Sequence, residues 1–216
     1  MERSEIAIII PALNESKTIY SVVQKVQKFG TPIVIDDGSI DETYSLAKEA
    51  GANLIKHKHN LGYDQSLNSG FNIAAIKGFK YIITFDADDQ HDPKIITNFL
   101  DSLENGSKVV CGIRNRKQRL AENIFSFYTN LRWGIKDPLC GMKGYSINLY
   151  RELGHFDSYK SIGTELLLFA LGKKYNFDQI NIKVNERKDY SRLGSSLKVN
   201  LKIIISLLQH IIKNLS

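Results

Sequence analysis

Over its first 113 residues the chain alternates short β-branched apolar runs with longer stretches of helical period, and that rhythm leaves little choice of architecture. Residues 5–10, 32–36, 53–57, 81–86 and 108–113 read as strands, and residues 16–29, 41–50, 63–77 and 93–105 read as helices. Consecutive strands separated by whole helices do not pair as hairpins. The pattern therefore predicts an α/β fold with a mostly parallel central sheet covered by helices. Ile19, Val22, Val23 and Val26 recur at three- and four-residue spacing and give the first helix one apolar stripe to lay on that sheet. After Arg114 the rhythm loosens into a helix at 121–133, a loop and strand at 136–144, a helix at 162–171, a strand at 178–184 and a last helix from 195.

No linker, repeat or low-complexity tract interrupts the 216 residues, so residues 1–194 read as one domain. Residues 195–216 form an amphipathic helix that either belongs to this domain or lies at a membrane interface. In that helix Leu197, Leu201, Ile204, Ile205, Leu208, Ile211, Ile212 and Leu215 share one face, and Lys198, Lys202, Ser206, Gln209 and Lys213 share the other. Such a helix packs on its domain, pairs with a second subunit as a homodimer, or lies in a lipid surface. No stretch approaches the roughly 18 to 20 apolar residues of a spanning helix. The start, MERSEIAIIIPALNE, lacks the pattern of a signal peptide, so the expected location is the cytoplasm. Cys111 and Cys140, without a CxxC or a nearby pair of histidines, read as buried thiols in a reducing compartment.

Polar clusters fall at the carboxyl ends of the strands, the edge where open α/β sheets bind ligands. The sharpest is Asp86-Ala87-Asp88-Asp89-Gln90-His91-Asp92-Pro93. Carboxylates crowded at a strand end repel one another unless a cation compensates them, and oxygen donors two residues apart suit Mg²⁺ or Mn²⁺. The alternative is a solvated turn in which Asp92 caps the next helix. Two further clusters, Pro11-Ala12-Leu13-Asn14-Glu15 and Asp36-Asp37-Gly38-Ser39-Ile40-Asp41, would face the same pocket and accept hydrogen bonds from ribose hydroxyls or base N–H groups. Their alternative is also capping, by Asn14 and Ser39.

Taken together, PALNE (11–15), VIDDGSIDET (34–43), HNLGYDQSLNSGF (59–71), FDADDQHDP (85–93), KDPLCGMKGYS (136–146), GTELLL (163–168) and RLGSSLK (192–198) resemble the family 2 glycosyltransferases. The resemblance is strongest to the dolichol-phosphate mannose synthase group, the polyprenyl-phosphate glycosyltransferases. It implies the GT-A nucleotide-sugar-binding fold. It also implies an inverting transfer of a sugar from a UDP- or GDP-sugar to a dolichyl or undecaprenyl phosphate, dependent on Mg²⁺ or Mn²⁺. By this resemblance Asp86 and Asp88 are the family's D-x-D pair. Asp88 and Gln90 are metal ligands, and Asp86 stands near the metal or the ribose. Pro11, Ala12, Asn14, Glu15, Gly62 and one or both of Asp36 and Asp37 line the nucleotide pocket. His91 either orients the metal shell or is a hydrogen-bonded turn residue.

The basic residues explain the net charge of +6, which arises from 29 Lys and Arg against 23 Asp and Glu. Lys108, Arg114, Arg116, Lys117 and Arg119 form one cluster, and Arg187, Lys188, Arg192 and Lys198 surround Gly194-Ser195-Ser196 at the start of the last helix. Arginine forks with a helix N-terminus make a phosphate site. The resemblance gives Arg114 to the acceptor phosphate and Arg192, Ser196 and Lys198 to the donor diphosphate. The stretch between Arg114 and Asp137 is short for the family and lacks its glycine-rich, tryptophan-containing loop, so Arg119 and Arg132 both qualify as a second acceptor arginine. Nucleic acid is a poor partner, because acidic loops share the sheet edge and no nucleic-acid module is present.

A hydroxyl acceptor needs a carboxylate base, whereas a phosphate monoester, with a second pKa of about 6, is already a nucleophile at neutral pH. Hydroxyl-using relatives carry a Glu-Asp pair where this chain has Glu165-Leu166, which resembles the polyprenyl-phosphate branch. The rival within enzymes transfers to a hydroxyl with Glu165 or Asp137 as base. From another class, a non-catalytic nucleotide-sugar-binding subunit would not need Asp86, Asp88 and Gln90. A polyprenyl phosphate lies in a membrane, so the chain would work at the cytoplasmic membrane face, through its last helix or a membrane partner subunit.

Overall fold

The computed structural model describes residues 2–115, 119–184 and 196–213. Among them, strands β1 (Ile6–Ala12), β2 (Thr31–Asp36), β3 (Asn53–Lys56), β4 (Tyr81–Thr84), β5 (Val109–Arg114), β6 (Lys143–Ser146) and β7 (Phe177–Ile182) form one seven-stranded sheet in the order β3-β2-β1-β4-β6-β5-β7. All pairings are parallel except those of β6, which runs antiparallel to both β4 and β5. The expected mostly parallel sheet is present. The antiparallel insert has a consequence for the site: the start of β6, Lys143, pairs with Thr84 at the carboxyl end of β4.

Helices α1 (Ile19–Val26), α2 (Thr43–Glu49), α3 (Tyr63–Ile76), α4 (Ile96–Glu104), α5 (Leu120–Trp133), α6 (Ile147–Leu153), α7 (Glu165–Gly172) and α8 (Ser196–Lys213) cover the two sheet faces. The period of two along β1 divides the core. Ile6, Ile8 and Ile10 pack with Val22, Val23 and Val26 of α1 and with Phe99 of α4. Ala7 and Ile9 pack on the other face with Leu67 and Phe71 of α3, and that layer continues to Phe125 of α5 and Val199, Ile203 and Leu207 of α8. This is a sheet between two helical layers, each strand feeding alternate side chains to opposite cores.

Several boundaries differ from the sequence reading. The first helix begins at Ile19, after Thr18 at φ −123°, and the helix expected from 162 begins at Glu165, because Ile162 and Gly163 take positive φ. Pro93 opens a short 3₁₀ turn, with α4 starting three residues later. The α6 helix, which the sequence reading does not place, follows β6 directly, with Ser146 at its N-cap and Gly154 at its C-cap.

The last helix differs most. Its buried side is Val199, Ile203, Ser206, Leu207 and His210, whereas Leu197, Leu201, Ile205, Leu208 and Ile212 are exposed. Ser206, expected on the solvated face, is buried and donates to the Ser161 carbonyl at 3.0 Å.

Candidate functional site

Loops from β1, β2 and β4 meet at the carboxyl edge of the sheet, and side chains stitch them together. The Asn14 amide donates to Ser39 Oγ at 2.9 Å, and Asn14 Oδ1 accepts from the Ile40 amide at 3.0 Å. The Glu15 amide donates to Thr43 Oγ1 at 2.8 Å and the Ser16 amide to Asp41 at 3.2 Å. Asn14 and Ser39 therefore bind each other's loops and cap no helix. Thr18 and Glu42 occupy the N-cap positions of α1 and α2. Gly38, at φ +77°, has to be glycine: a Cβ there would lie 2.7 Å from the His59 carbonyl carbon.

The two aspartates of the second cluster separate in role. Both Asp37 oxygens are engaged, accepting from the amides of Leu61 and Gly62 and contacting His57 Nδ1 at 2.7 Å. Asp37 thus shapes the turn at Gly62 that starts α3. Asp36 is fully buried. Its Oδ1 accepts from the Ser39 amide, its Oδ2 has no hydrogen-bond partner, and the Lys56 ammonium is 4.0 Å away. A buried carboxylate needs a compensating charge, and the Lys56 ammonium stands nearest this same oxygen.

At the end of β4, Asp86 keeps about a third of its side chain exposed and contacts His91 Nε2 at 3.3 Å. Burial would raise the Asp86 pKa, but the His91 hydrogen bond and the positive charges of His91, Arg114 and Lys143 hold it below the usual carboxylate range. Gly141, from the loop before β6, lies directly over this carboxylate; a Cβ on it would be 2.6 Å from Asp86 Oδ2. Asp88 Oδ1 accepts from the Gln90 amide at 3.2 Å, so the two residues share one tight turn. Asp89 is turned outward to Lys25 at 2.8 Å, and Asp92 caps the Pro93 turn by accepting from the Lys94 amide. The four carboxylates divide accordingly: Asp86 meets His91, Asp88 shares a turn with Gln90, Asp89 meets Lys25, and Asp92 caps the Pro93 turn.

Two carboxylates and an amide oxygen are hard donors suited to Mg²⁺ or Mn²⁺. Among the described residues no three His, Cys, Asp or Glu side chains converge on one point. His91 is buried, and its Nδ1 has no hydrogen-bond partner.

Arg114, at the end of β5, has its guanidinium locked. Nε and one terminal nitrogen donate to Asp137 at 2.8 Å each, and the latter nitrogen also donates to Glu122 at 3.0 Å. Burial works against its charge, yet Asp137 and Glu122 keep it protonated. Glu122 also accepts from Arg119 at 3.1 Å, which brings Arg119 beside Arg114. Arg132 stacks on Trp133 at the far end of α5, roughly 20 Å along the helix axis from Arg119. Of the two qualifying arginines, the fold gathers Arg119. Lys108, at the opposite end of β5, stands about 20 Å from Arg114 and leaves the basic cluster expected from sequence.

Glu165 opens α7 and is held by the Ser158 amide and hydroxyl, by His155 and by Lys213. Burial pushes its pKa up, but these partners bring it below the usual range. Asp137 is fully buried on Arg114. Both candidate bases are therefore engaged by structural partners. Lys198 lies exposed on α8; Ser196 is the first residue of that helix, and Arg192, with Arg187 and Lys188, lies outside the described residues, as do Arg116 and Lys117.

The sequence reading missed Lys143. It is buried, and its ammonium donates to the Cys140 carbonyl at 2.6 Å and the Gly163 carbonyl at 3.2 Å, with its charge felt at Asp86 and Asp64. A lysine inside the short apolar run between Gly141 and Tyr145 was the available signal.

The model of glycosyl transferase family 2 matches residues 7–157. A UDP-N-acetylglucosamine–dolichyl-phosphate N-acetylglucosaminyltransferase of Methanococcus voltae is 29% identical over 94% of this chain and 94% of its own. A dolichyl-phosphate hexose transferase of Haloferax volcanii is 24% identical over 88% of this chain and 86% of its own. Among solved structures, glucosyl-3-phosphoglycerate synthase from Mycobacterium tuberculosis, in complex with Mg²⁺ and UDP, aligns with a TM-score of 0.78 at 21% identity, over 96% of this chain and 79% of that one. The shared architecture is the GT-A fold.

Proposed function

The chain belongs to glycosyl transferase family 2, and from that premise we propose that it transfers a sugar from a UDP- or GDP-sugar to the phosphate of a polyprenyl phosphate at the cytoplasmic face of a membrane. The observation that carries the acceptor class is the engagement of both candidate bases, Glu165 and Asp137, by structural partners. A phosphate dianion attacks without losing a proton, so no base is required. The names of the Methanococcus and Haloferax relatives support the same class. No helix among the described residues is long and apolar enough to cross a membrane, so the acceptor would be met at the surface.

In this reading an acceptor phosphate oxygen forms a bond to the anomeric carbon as the bond from that carbon to the diphosphate oxygen breaks. The nucleoside diphosphate leaves with the electron pair, and the configuration inverts. Asp86, Asp88 and Gln90 would hold Mg²⁺ or Mn²⁺, which when bound supplies charge neutralisation for the leaving diphosphate. Asp36 and Asp37, at the carboxyl end of β2, are assigned to the donor's nucleotide pocket, with Pro11, Ala12, Asn14 and Glu15 walling it. Arg114 and Arg119, fixed on Glu122, face the acceptor phosphate, and Arg192, Ser196 and Lys198 are assigned to the donor diphosphate.

A hydroxyl acceptor is the second reading, favoured by the fold shared with glucosyl-3-phosphoglycerate synthase. A transfer assay with UDP- and GDP-sugars, offering polyprenyl phosphate, 3-phosphoglycerate and free sugars in parallel, separates the two. Product on the lipid phosphate alone, lost with EDTA and in Asp88→Ala, supports the proposal. Product on a hydroxyl alone refutes it.

A further inference from the structure

Nine of the thirteen large apolar side chains exposed among the described residues lie on just two helices, α5 and α8. On α5 they are Leu120, Ile124, Phe127 and Leu131, one every three or four residues. On α8 they are Leu197, Leu201, Ile205, Leu208 and Ile212, with the same helical spacing. The helices run side by side in the same direction. The Ala121 amide donates to Asn200 Oδ1 at 3.2 Å near one end, and the Tyr128 and Trp133 rings pack edge-on against His210 near the other. Ala121, Phe125, Val199, Ile203 and Leu207 face the core, so both stripes lie on the side turned away from it and form one apolar face. Leu131 is 78% exposed and Leu197 is 84% exposed, far beyond the scattered apolar exposure of an ordinary surface.

Charge selects what covers this face. Lys198 and Lys202 lie exposed beside the α8 stripe, and Arg132 lies exposed on α5. The one carboxylate on either helix, Glu122, is buried against Arg114 and Arg119. A symmetric contact with a second copy would bring two cationic rims together with no carboxylate between them. An anionic lipid surface accepts the apolar stripes below its headgroups and the cations among them.

We infer that α5 and α8 together form a bilayer-docking face for anionic lipid. The α5 contribution enlarges the expectation drawn from the last helix alone. It also links docking to the site, because Arg119 directly precedes Leu120 and shares Glu122 with Arg114. Docking on the stripes places both arginines at headgroup depth. The inference does not rest on the identity of the acceptor.

The test is co-sedimentation of the full chain with phosphatidylcholine vesicles and with phosphatidylcholine vesicles containing phosphatidylglycerol, without donor or acceptor, alongside light scattering of the eluted protein. The expected result is a monomer that binds the phosphatidylglycerol vesicles at least tenfold more tightly than phosphatidylcholine alone, and less tightly as salt is raised. Phe127→Glu and Leu208→Glu, each on a different stripe and both exposed, each weaken binding by about tenfold or more. Ile76→Glu, exposed at the end of α3, leaves it unchanged. Absence of vesicle binding, or a dimer that Phe127→Glu converts to monomer, overturns the inference. Either failure leaves the transfer assay to decide the acceptor on its own.

Discussion

Asp137 and Arg114 are joined at three points: two side-chain hydrogen bonds of 2.8 Å, and a third from the Arg114 amide at 3.1 Å. The carboxylate is wholly buried and the guanidinium nearly so. Removing one partner strands the other charge in the interior, which costs about 3–5 kcal/mol. Asp137→Ala should lower the unfolding free energy by that amount in a urea titration. Asp137→Asn, which keeps an acceptor, should cost less. A loss under about 1 kcal/mol for the alanine variant would remove the ion pair from the account of how Arg114 is held.

Gly141 and Asp86 make a sharper prediction. Gly141→Ala forces the Asp86 carboxylate to move, because the new Cβ would be 2.6 and 2.8 Å from its two oxygens. Binding of UDP or GDP in the presence of Mn²⁺, measured by calorimetry, should weaken by about tenfold or more, the usual scale for a disturbed metal shell. The melting temperature without ligand should barely change. Wild-type affinity with undiminished metal dependence would show that Asp86 is not a ligand.

Much of this geometry was legible from the chain, and the reason is periodicity. Ile6 to Ile10 and Pro32 to Ile35 are buried on both faces and carry continuous apolar runs, so their strands and the intervening helices could be placed to within a few residues. What could not be read was pairing. The four residues Lys143 to Ser146 carry no signal of an antiparallel course between β4 and β5, and the proximity of Gly141 to Asp86 follows from that course alone. The face of α8 was misjudged for a related reason. Counting apolar residues passes over Ser206 and His210, which are buried because Ser161, Tyr128 and Trp133 receive them.

Glu165→Gln distinguishes a holding role from a catalytic one. If the carboxylate serves Ser158, His155 and Lys213, the variant should lose about 1–3 kcal/mol of stability and keep kcat on a phosphate acceptor within about tenfold. Loss of a general base would instead cost roughly 10² to 10⁴ in kcat. A fall of that size, with the fold intact, would return Glu165 to the chemistry.

Acid should act on the protein in two opposed ways. Burial, with Arg132 nearby, pulls the His210 pKa down to about 4 from an ordinary 6.5, so the folded state holds it neutral. Its contribution is present above pH 6.5 and is lost as the pH falls toward 4, up to about 3 kcal/mol. Burial, and then the like charge of Asp157, raise Asp64 to about 6 from 3.8, so the folded state favours its protonated form. Acidification from pH 6 toward 3.8 therefore adds stability through Asp64, by about 2–3 kcal/mol. In urea titrations across pH 4 to 8, His210→Leu should flatten the acid-side loss, and Asp64→Asn should exceed the wild type above pH 6 and lose that advantage below 4. Parallel pH profiles for a variant and the wild type would rule out the assigned group.

Because β6 enters the sheet from the ligand edge, the segment between α5 and Lys143 is anchored at its start by the helix and at its end by a strand pinned between β4 and β5. Its interior is fixed as well: Asp137 holds Arg114 on β5, Gly141 covers Asp86 after β4, and Ile135, Cys140 and Met142 are buried in the core. A change in the length of this segment would therefore be felt at Arg114 and Asp86 together, which couples the ends of β4 and β5 through one stretch of chain.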